Sequence, residues 1–204
     1  MILTSAEPHG KTLVTLFIDG EKAFDLDLEV YLKAGLRPGD DLTDEFLHRL
    51  AVSSDARRAE QKALNLLACR AHSEKELERK LSRSVSPEAA GRAAAKMAEL
   101  GLVDDERYAR SLARELFSRK GYAASRVRLE LIRRGIECET AGRIASEDAP
   151  DPRAAAKGVL SRKYARCLGD EKGRRRSAAA LQRMGYRWED IRAAMREIIS
   201  DGEE

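Results

Sequence analysis

The chain has 204 residues, room for one large domain or two small ones; 36% of them are charged and only 5% aromatic, a balance that favours helices with broad solvated faces over a thick globular core. No apolar run approaches the roughly 20 residues that span a bilayer, the N-terminus lacks a signal-peptide pattern, and Cys69, Cys138 and Cys167 have no ligand spacing, so a membrane span, a disulfide framework and a zinc site are not expected and the cytoplasm is the default address. The net charge of +3 hides an asymmetry, because residues 1–54 carry 5 Lys/Arg against 10 Asp/Glu and residues 55–204 carry 33 against 25; the later part suits a polyanion or an acidic protein surface, and equally a soluble, salt-bridged set of helices.

In chain order, Thr12–Ile18 and Ala23–Leu28 alternate apolar and polar residues around Asp19-Gly20, which predicts a β-hairpin with a tight primed turn. Arg37-Pro38-Gly39-Asp40 ends it. Thr43 then caps a short helix through Leu50, and Ser53-Ser54-Asp55 offers a second cap for a long helix from about Ala56 to Arg70. Everything after residue 55 reads as helical. Helices are expected over Glu74–Arg83, capped by Ser73 with Glu76, and over Pro87–Leu100, entered through Ser86-Pro87 and closed by Gly101.

The helical part repeats. Leu81, Leu131 and Leu181 stand 50 residues apart, each near the end of a helix, and the turns that follow read Ser84-Val85, Gly135-Ile136 and Gly185-Tyr186 if the first copy lacks one residue. The expected organisation is therefore an N-terminal segment over 1–54 and three-helix repeats over 55–103, 104–150 and 151–204. The fold class is all-α, an elongated, curved array of three tandem triplets preceded by a short hairpin, in which no copy has enough large apolar residues to be comfortable alone.

Catalytic signatures are absent: there is no phosphate-binding loop, HExxH, GxSxG or calcium loop. No enzyme, cofactor or metal is expected. His72 reads as an ordinary residue at a helix turn, and Asp104-Asp105 as a cap and first-turn acid instead of a metal site. Tyr186 and Trp188 flank the last turn and are expected to pack it. The basic residues are more suggestive. Arg107, Arg110 and Arg114 recur on the outer side of one helix, which ends in Arg119-Lys120; Arg126, Arg133 and Arg134 gather on an arc of the next, while Arg128 must snorkel or pair; and the third copy adds Arg162-Lys163, Arg166, Lys172 and the run Arg174-Arg175-Arg176. These cations are the candidate partner-binding or DNA-binding set, and the scattered aromatics offer no platform for stacking bases.

The run Gly101-Leu102-Val103-Asp104-Asp105-Glu106-Arg107-Tyr108-Ala109, followed by Gly121, Arg126, Leu131 and Gly135-Ile136, resembles the bacterial RecX regulatory family, as do Ala63-Leu64, Leu67, Arg70 and Ser73-Glu74-Lys75-Glu76-Leu77 upstream. The similarity covers about residues 55–200. It implies tandem three-helix units that act on RecA, the recombinase that polymerises on single-stranded DNA, lying in the filament groove and limiting filament extension, ATP hydrolysis, strand exchange and repressor cleavage. The implied partner is the RecA filament, with single- or double-stranded DNA as a further contact, and the protein is expected to be a monomer. Ser84 departs from the family by replacing the Gly of the first turn. A module that competes directly for single-stranded DNA, or a scaffold for an unrelated partner, are the rival readings.

Overall fold

A computed structural model of the chain describes residues 1–201, which divide into two compact units, one over Met1–Val103 and one from Asp104 onward. Both are mostly helical.

The first unit opens with three antiparallel strands, β1 (Leu3–His9), β2 (Leu13–Ile18) and β3 (Glu21–Asp27), in the order β1-β2-β3. The expected hairpin is β2–β3. Asp19 and Gly20 both have positive φ, 51° and 85°, the requirement of a primed two-residue turn. The sequence reading missed β1, whose Pro8 and polar residues carry little strand signal; it is an edge strand, where proline is tolerated. Asp19 and Gly20 help to hold it, since Asp19 Oδ1 accepts from the Ile2 amide at 2.8 Å and the Gly20 amide donates to Thr4 Oγ1 at 2.9 Å. A short helix α1 (Leu28–Ala34), capped by Asp27, follows where no helix is expected.

Helix α2 runs without a break from Asp44 to Cys69, capped by Thr43, and so passes through the expected boundary at residues 54 and 55. Each capping-type side chain there has another use. Ser53 Oγ donates back to the Arg49 carbonyl at 2.8 Å, Ser54 Oγ is buried and accepts from the Asp27 amide at 2.8 Å, and Asp55 Oδ2 accepts from the Ser86 amide at 3.1 Å. Ser54 and the Arg57–Asp27 ion pair at 3.0 Å thus fasten α2 to β3. The helix serves two cores. Leu50 lies with Leu3, Leu16 and Leu26 against the sheet, while Ala59 and Ala63 lie with Leu77, Leu81 and Met97 of α3 (Glu74–Leu81) and α4 (Pro87–Glu99).

The second unit holds two further cores. Helices α5 (Asp105–Glu115), α6 (Ala124–Arg133) and α7 (Cys138–Glu147) surround Ala109, Val127, Leu131 and Ile144. Helices α8 (Pro152–Val159), α9 (Glu171–Arg183) and α10 (Trp188–Asp201) surround Ala156, Leu160, Leu181 and Ile191. Leu81, Leu131 and Leu181, the landmarks of the sequence period, are all fully buried. Helices α5 and α8 each run on into a π-helical turn, Leu116–Lys120 and Leu160–Tyr164.

The turns explain why two of these glycines matter. After α6 the Gly135 amide donates to the Ile132 carbonyl and the Ile136 amide to that of Leu131; after α9 Gly185 and Tyr186 repeat the pattern with Gln182 and Leu181. Both glycines have φ of 92°. After α3 no residue adopts positive φ, and Ser84 and Val85 both donate to the Leu81 carbonyl, so a turn one residue shorter has no need of glycine. Tyr186 packs its turn as expected. Trp188, in contrast, is 51% exposed at the first position of α10, whereas Ile191, one turn further on, is fully buried.

Candidate partner-binding surface

Helix α5 begins where Asp104 Oδ1 accepts from the Arg107 amide at 2.8 Å, so this aspartate is a cap, and no group of three or more His, Cys, Asp or Glu suited to a metal occurs among the described residues. The capping sets the phase of the helix. Arg107 and Arg114, two turns apart, are exposed with no ion-pair partner among the described residues. Arg110, between them, is spent internally: its guanidinium bonds Glu106 at 3.0 Å, Glu147 at 2.9 Å and Asp148 at 3.1 Å. Arg143 bonds Glu106 and also Glu147, closing a five-member network of Glu106, Arg110, Arg143, Glu147 and Asp148. The Arg143 and Arg110 guanidiniums hold the Glu106 carboxyl below its ordinary range. Arg110 thus links α5 to the acids at the end of α7, of which the helical period that aligned it with Arg107 and Arg114 says nothing.

The remaining candidates divide. Arg119 makes a loose pair with Glu115 at 3.6 Å, and Lys120 is exposed. On α6, Arg126 pairs with Glu130 at 2.7 Å, lies 5.6 Å from the Tyr122 ring centre and keeps a buried Nε without a hydrogen-bond partner. Arg133 shares Glu130 at 3.2 Å but stays largely exposed, Arg134 donates to the Tyr108 hydroxyl at 3.3 Å, and the exposed Arg128 reaches Cys138 Sγ. On α9, Arg174 donates to the Leu168 carbonyl and Arg175 pairs with Glu171 at 2.6 Å. Arg176 is exposed and unpaired among the described residues. It shares a helix face with Lys172 and Arg183, spaced four and seven residues away and also exposed. A run of three arginines drew attention in the sequence, whereas the residues sharing that face are Lys172, Arg176 and Arg183, a spacing that helical geometry could have revealed.

The cores of the second unit meet through their turns. The Ala123 amide donates to the Met184 carbonyl at 2.9 Å, Ser125 Oγ to the Gly185 carbonyl at 2.7 Å, and the Tyr186 hydroxyl to the Gly121 carbonyl at 3.0 Å. Burial pushes the Tyr186 phenol pKa up. Beside this seam lies a cleft of about 550 Å³ with Phe117, Tyr122, Ala155, Val159 and Tyr186 in its lining and the exposed guanidiniums of Arg114 and Arg162 at its rim. Arg162 was among the basic residues of the third copy; that it and Arg114 border one cavity could not be read from their separation in the chain.

Residues 59–97 match the family model described as RecX, first three-helix domain, and residues 104–142 the one described as RecX, second three-helix domain. The chain is 37% identical over 138 residues to "Regulatory protein RecX" of Stenotrophomonas maltophilia (strain R551-3), covering 67% of this chain and 84% of that protein. The chain belongs to the RecX family. The RecX protein of Caldanaerobacter subterraneus subsp. tengcongensis is 35% identical over 125 residues; the match takes in 61% of this chain and 63% of that relative, under two thirds of its length. Among solved structures, a crystal structure of regulatory protein RecX aligns over 98% of both chains with a TM-score of 0.62 at 19% identity, and RecX from Lactobacillus salivarius over 72% of this chain and 97% of its own with 0.60 at 20%. These last two show that the RecX fold is shared. Both relatives are regulatory proteins by name, and no helix of the described residues is long and apolar enough to cross a membrane.

Proposed function

We propose that this chain is a regulator of RecA that binds the RecA filament on single-stranded DNA and restrains its recombinase, ATPase and coprotease activities. Membership of the RecX family carries this reading, through the 37% identity over 84% of a regulatory protein's length. In the same reading the three helical cores are three tandem three-helix repeats, the sheet and the first half of α2 forming a separate N-terminal element. The second unit is the more basic, with 23 Lys/Arg against 18 Asp/Glu, and its exposed Arg107, Arg114, Lys120 and Arg176, without an ion-pair partner among the described residues, are available to an acidic surface. Attachment alone changes nothing. Restraint requires tighter binding to a less active or terminated filament than to the active one.

The test measures RecA's DNA-dependent ATPase and filament length together while this protein is titrated, at two salt concentrations. Expected is a saturable fall in both that weakens at the higher salt, where exposed charges are screened. Unchanged ATPase and unchanged length at saturating protein would refute the proposal, and binding to single-stranded DNA without RecA association would favour direct competition for the strand.

A further inference from the structure

We infer that the cleft beside the turn that precedes α6 and the turn that follows α9 in the second unit is the docking site for an acidic segment of the protein partner, one carrying an apolar side chain as its anchor. This step rests on the RecA reading above.

Three observations define the occupant. Part of the lining is an apolar floor, with aliphatic surface from Pro150, Ala155 and Val159 beside the rings of Phe117 and Tyr122. Such a floor takes a branched or aromatic side chain and removes it from water. Next, the rim carries Arg114 and Arg162. Arg114 has no ion-pair partner among the described residues, and Arg162 has none either, its Nε–H donating only to the Gly158 carbonyl at 3.0 Å. Two guanidiniums beside an apolar floor are complementary to carboxylates that flank the anchor, each able to accept a forked pair of hydrogen bonds.

The third observation separates a peptide from a nucleic acid strand, which shares the negative charge. Base recognition without sequence preference uses free aromatic faces. Here Tyr186 is buried with its hydroxyl committed to the Gly121 carbonyl, and the Tyr122 ring is faced by the Arg126 guanidinium at 5.6 Å. The aromatic surface left over suits an inserted side chain better than a stack of bases.

The experiment measures binding of the full-length chain to RecA filaments and, separately, to an oligo(dT) strand. The double variant Arg114→Glu/Arg162→Glu is compared with Arg79→Glu/Arg83→Glu, a change of equal charge on exposed residues of the first unit. The cleft pair is expected to lose RecA affinity by at least about tenfold with unaltered thermal unfolding, and the control pair by much less. Oxidative footprinting of the unsubstituted chain gives a readout independent of any variant's folding: Phe117 and Tyr122 should lose modification when RecA is bound. Failure of the unsubstituted chain to bind RecA would sink the functional proposal itself. Normal binding by the cleft variant, or unchanged footprints at Phe117 and Tyr122, would overturn the docking site alone. So would loss of oligo(dT) binding with RecA affinity retained, which would assign the cleft to nucleic acid.

Discussion

The Tyr186 hydroxyl donates to the main-chain carbonyl of Gly121 at 3.0 Å in a buried setting, although the two residues lie 65 positions apart in the sequence. One hydrogen bond thereby joins the turn after α9 to the residue that ends the π-helical extension of α5. Replacing Tyr186 with Phe keeps the ring and leaves the Gly121 carbonyl without its donor. The loss expected is about 1–3 kcal/mol of stability in the second unit. Urea unfolding followed by the fluorescence of Trp188, the only tryptophan, reports on that unit, and an unshifted midpoint would deny the bond its importance.

Gly185 faces two obstacles to substitution. Its φ of 92° strains any L side chain, and an added Cβ would stand 2.6 Å from Ser125 Oγ and 2.9 Å from the Arg126 amide nitrogen. Gly185→Ala should therefore cost more than the ~1 kcal/mol of an unfavourable φ alone, because the main chain of α6 cannot yield as a flexible side-chain tip can. Gly101, with φ of 70° and open space around its Cβ position, is the comparison: Gly101→Ala should show only the conformational penalty. Equal losses at the two sites, measured by thermal unfolding, would contradict the close approach.

Arg110 and Arg114 sit on one helix and should behave oppositely. Arg110→Gln removes the cation shared by Glu106, Glu147 and Asp148 and is expected to lower the unfolding temperature while leaving partner affinity intact. Arg114→Gln should leave stability unchanged and weaken RecA binding. Calorimetry of both variants, paired with binding measurements, decides the matter; a reversed assignment would mean that the network between α5 and α7 is dispensable.

His72 makes the first unit sensitive to acid. It is buried, its Nδ1 lies 2.9 Å from the Arg70 carbonyl, and its Nε2 lies 2.8 Å from the Lys80 ammonium. A neutral ring protonated at Nδ1 satisfies both partners, donating to the carbonyl and accepting from the ammonium. Burial first, and then the positive charges of Arg70 and Lys80, push its pKa below the ordinary 6.5. In the unfolded chain the imidazole takes up its proton near 6.5, while the folded protein resists until lower pH. The contribution is accordingly complete above 6.5 and is lost as pH falls below it toward the lowered folded value. Urea midpoints from circular dichroism in a descending pH series should fall in that window for the natural chain, and His72→Gln should flatten that part of the curve.

Local chemistry by itself determined much of this protein. The Asp19-Gly20 turn, the caps at Thr43, Ser73, Ser86, Asp104 and Asp151, and the buried leucines at 81, 131 and 181 follow from residue type and spacing, since each depends on neighbours within a turn or two of helix. The family resemblance rested on the same kind of short-range pattern. Tertiary structure decided what distant partners impose. Ser53, Ser54 and Asp55 look like a helix start until Arg49, Asp27 and Ser86 claim their side chains, and the helix continues through them. Arg107, Arg110 and Arg114 look alike until Glu147 and Asp148, contributed by α7 and the residue that ends it, neutralise the middle one. Arg114 and Arg162 come to border one cleft only because Gly121 admits Val159 against its backbone, where an added Cβ would stand 2.6 Å from a methyl group. Charge and close packing act through space, and periodicity along a chain carries no record of which acid or which methyl group will arrive from elsewhere.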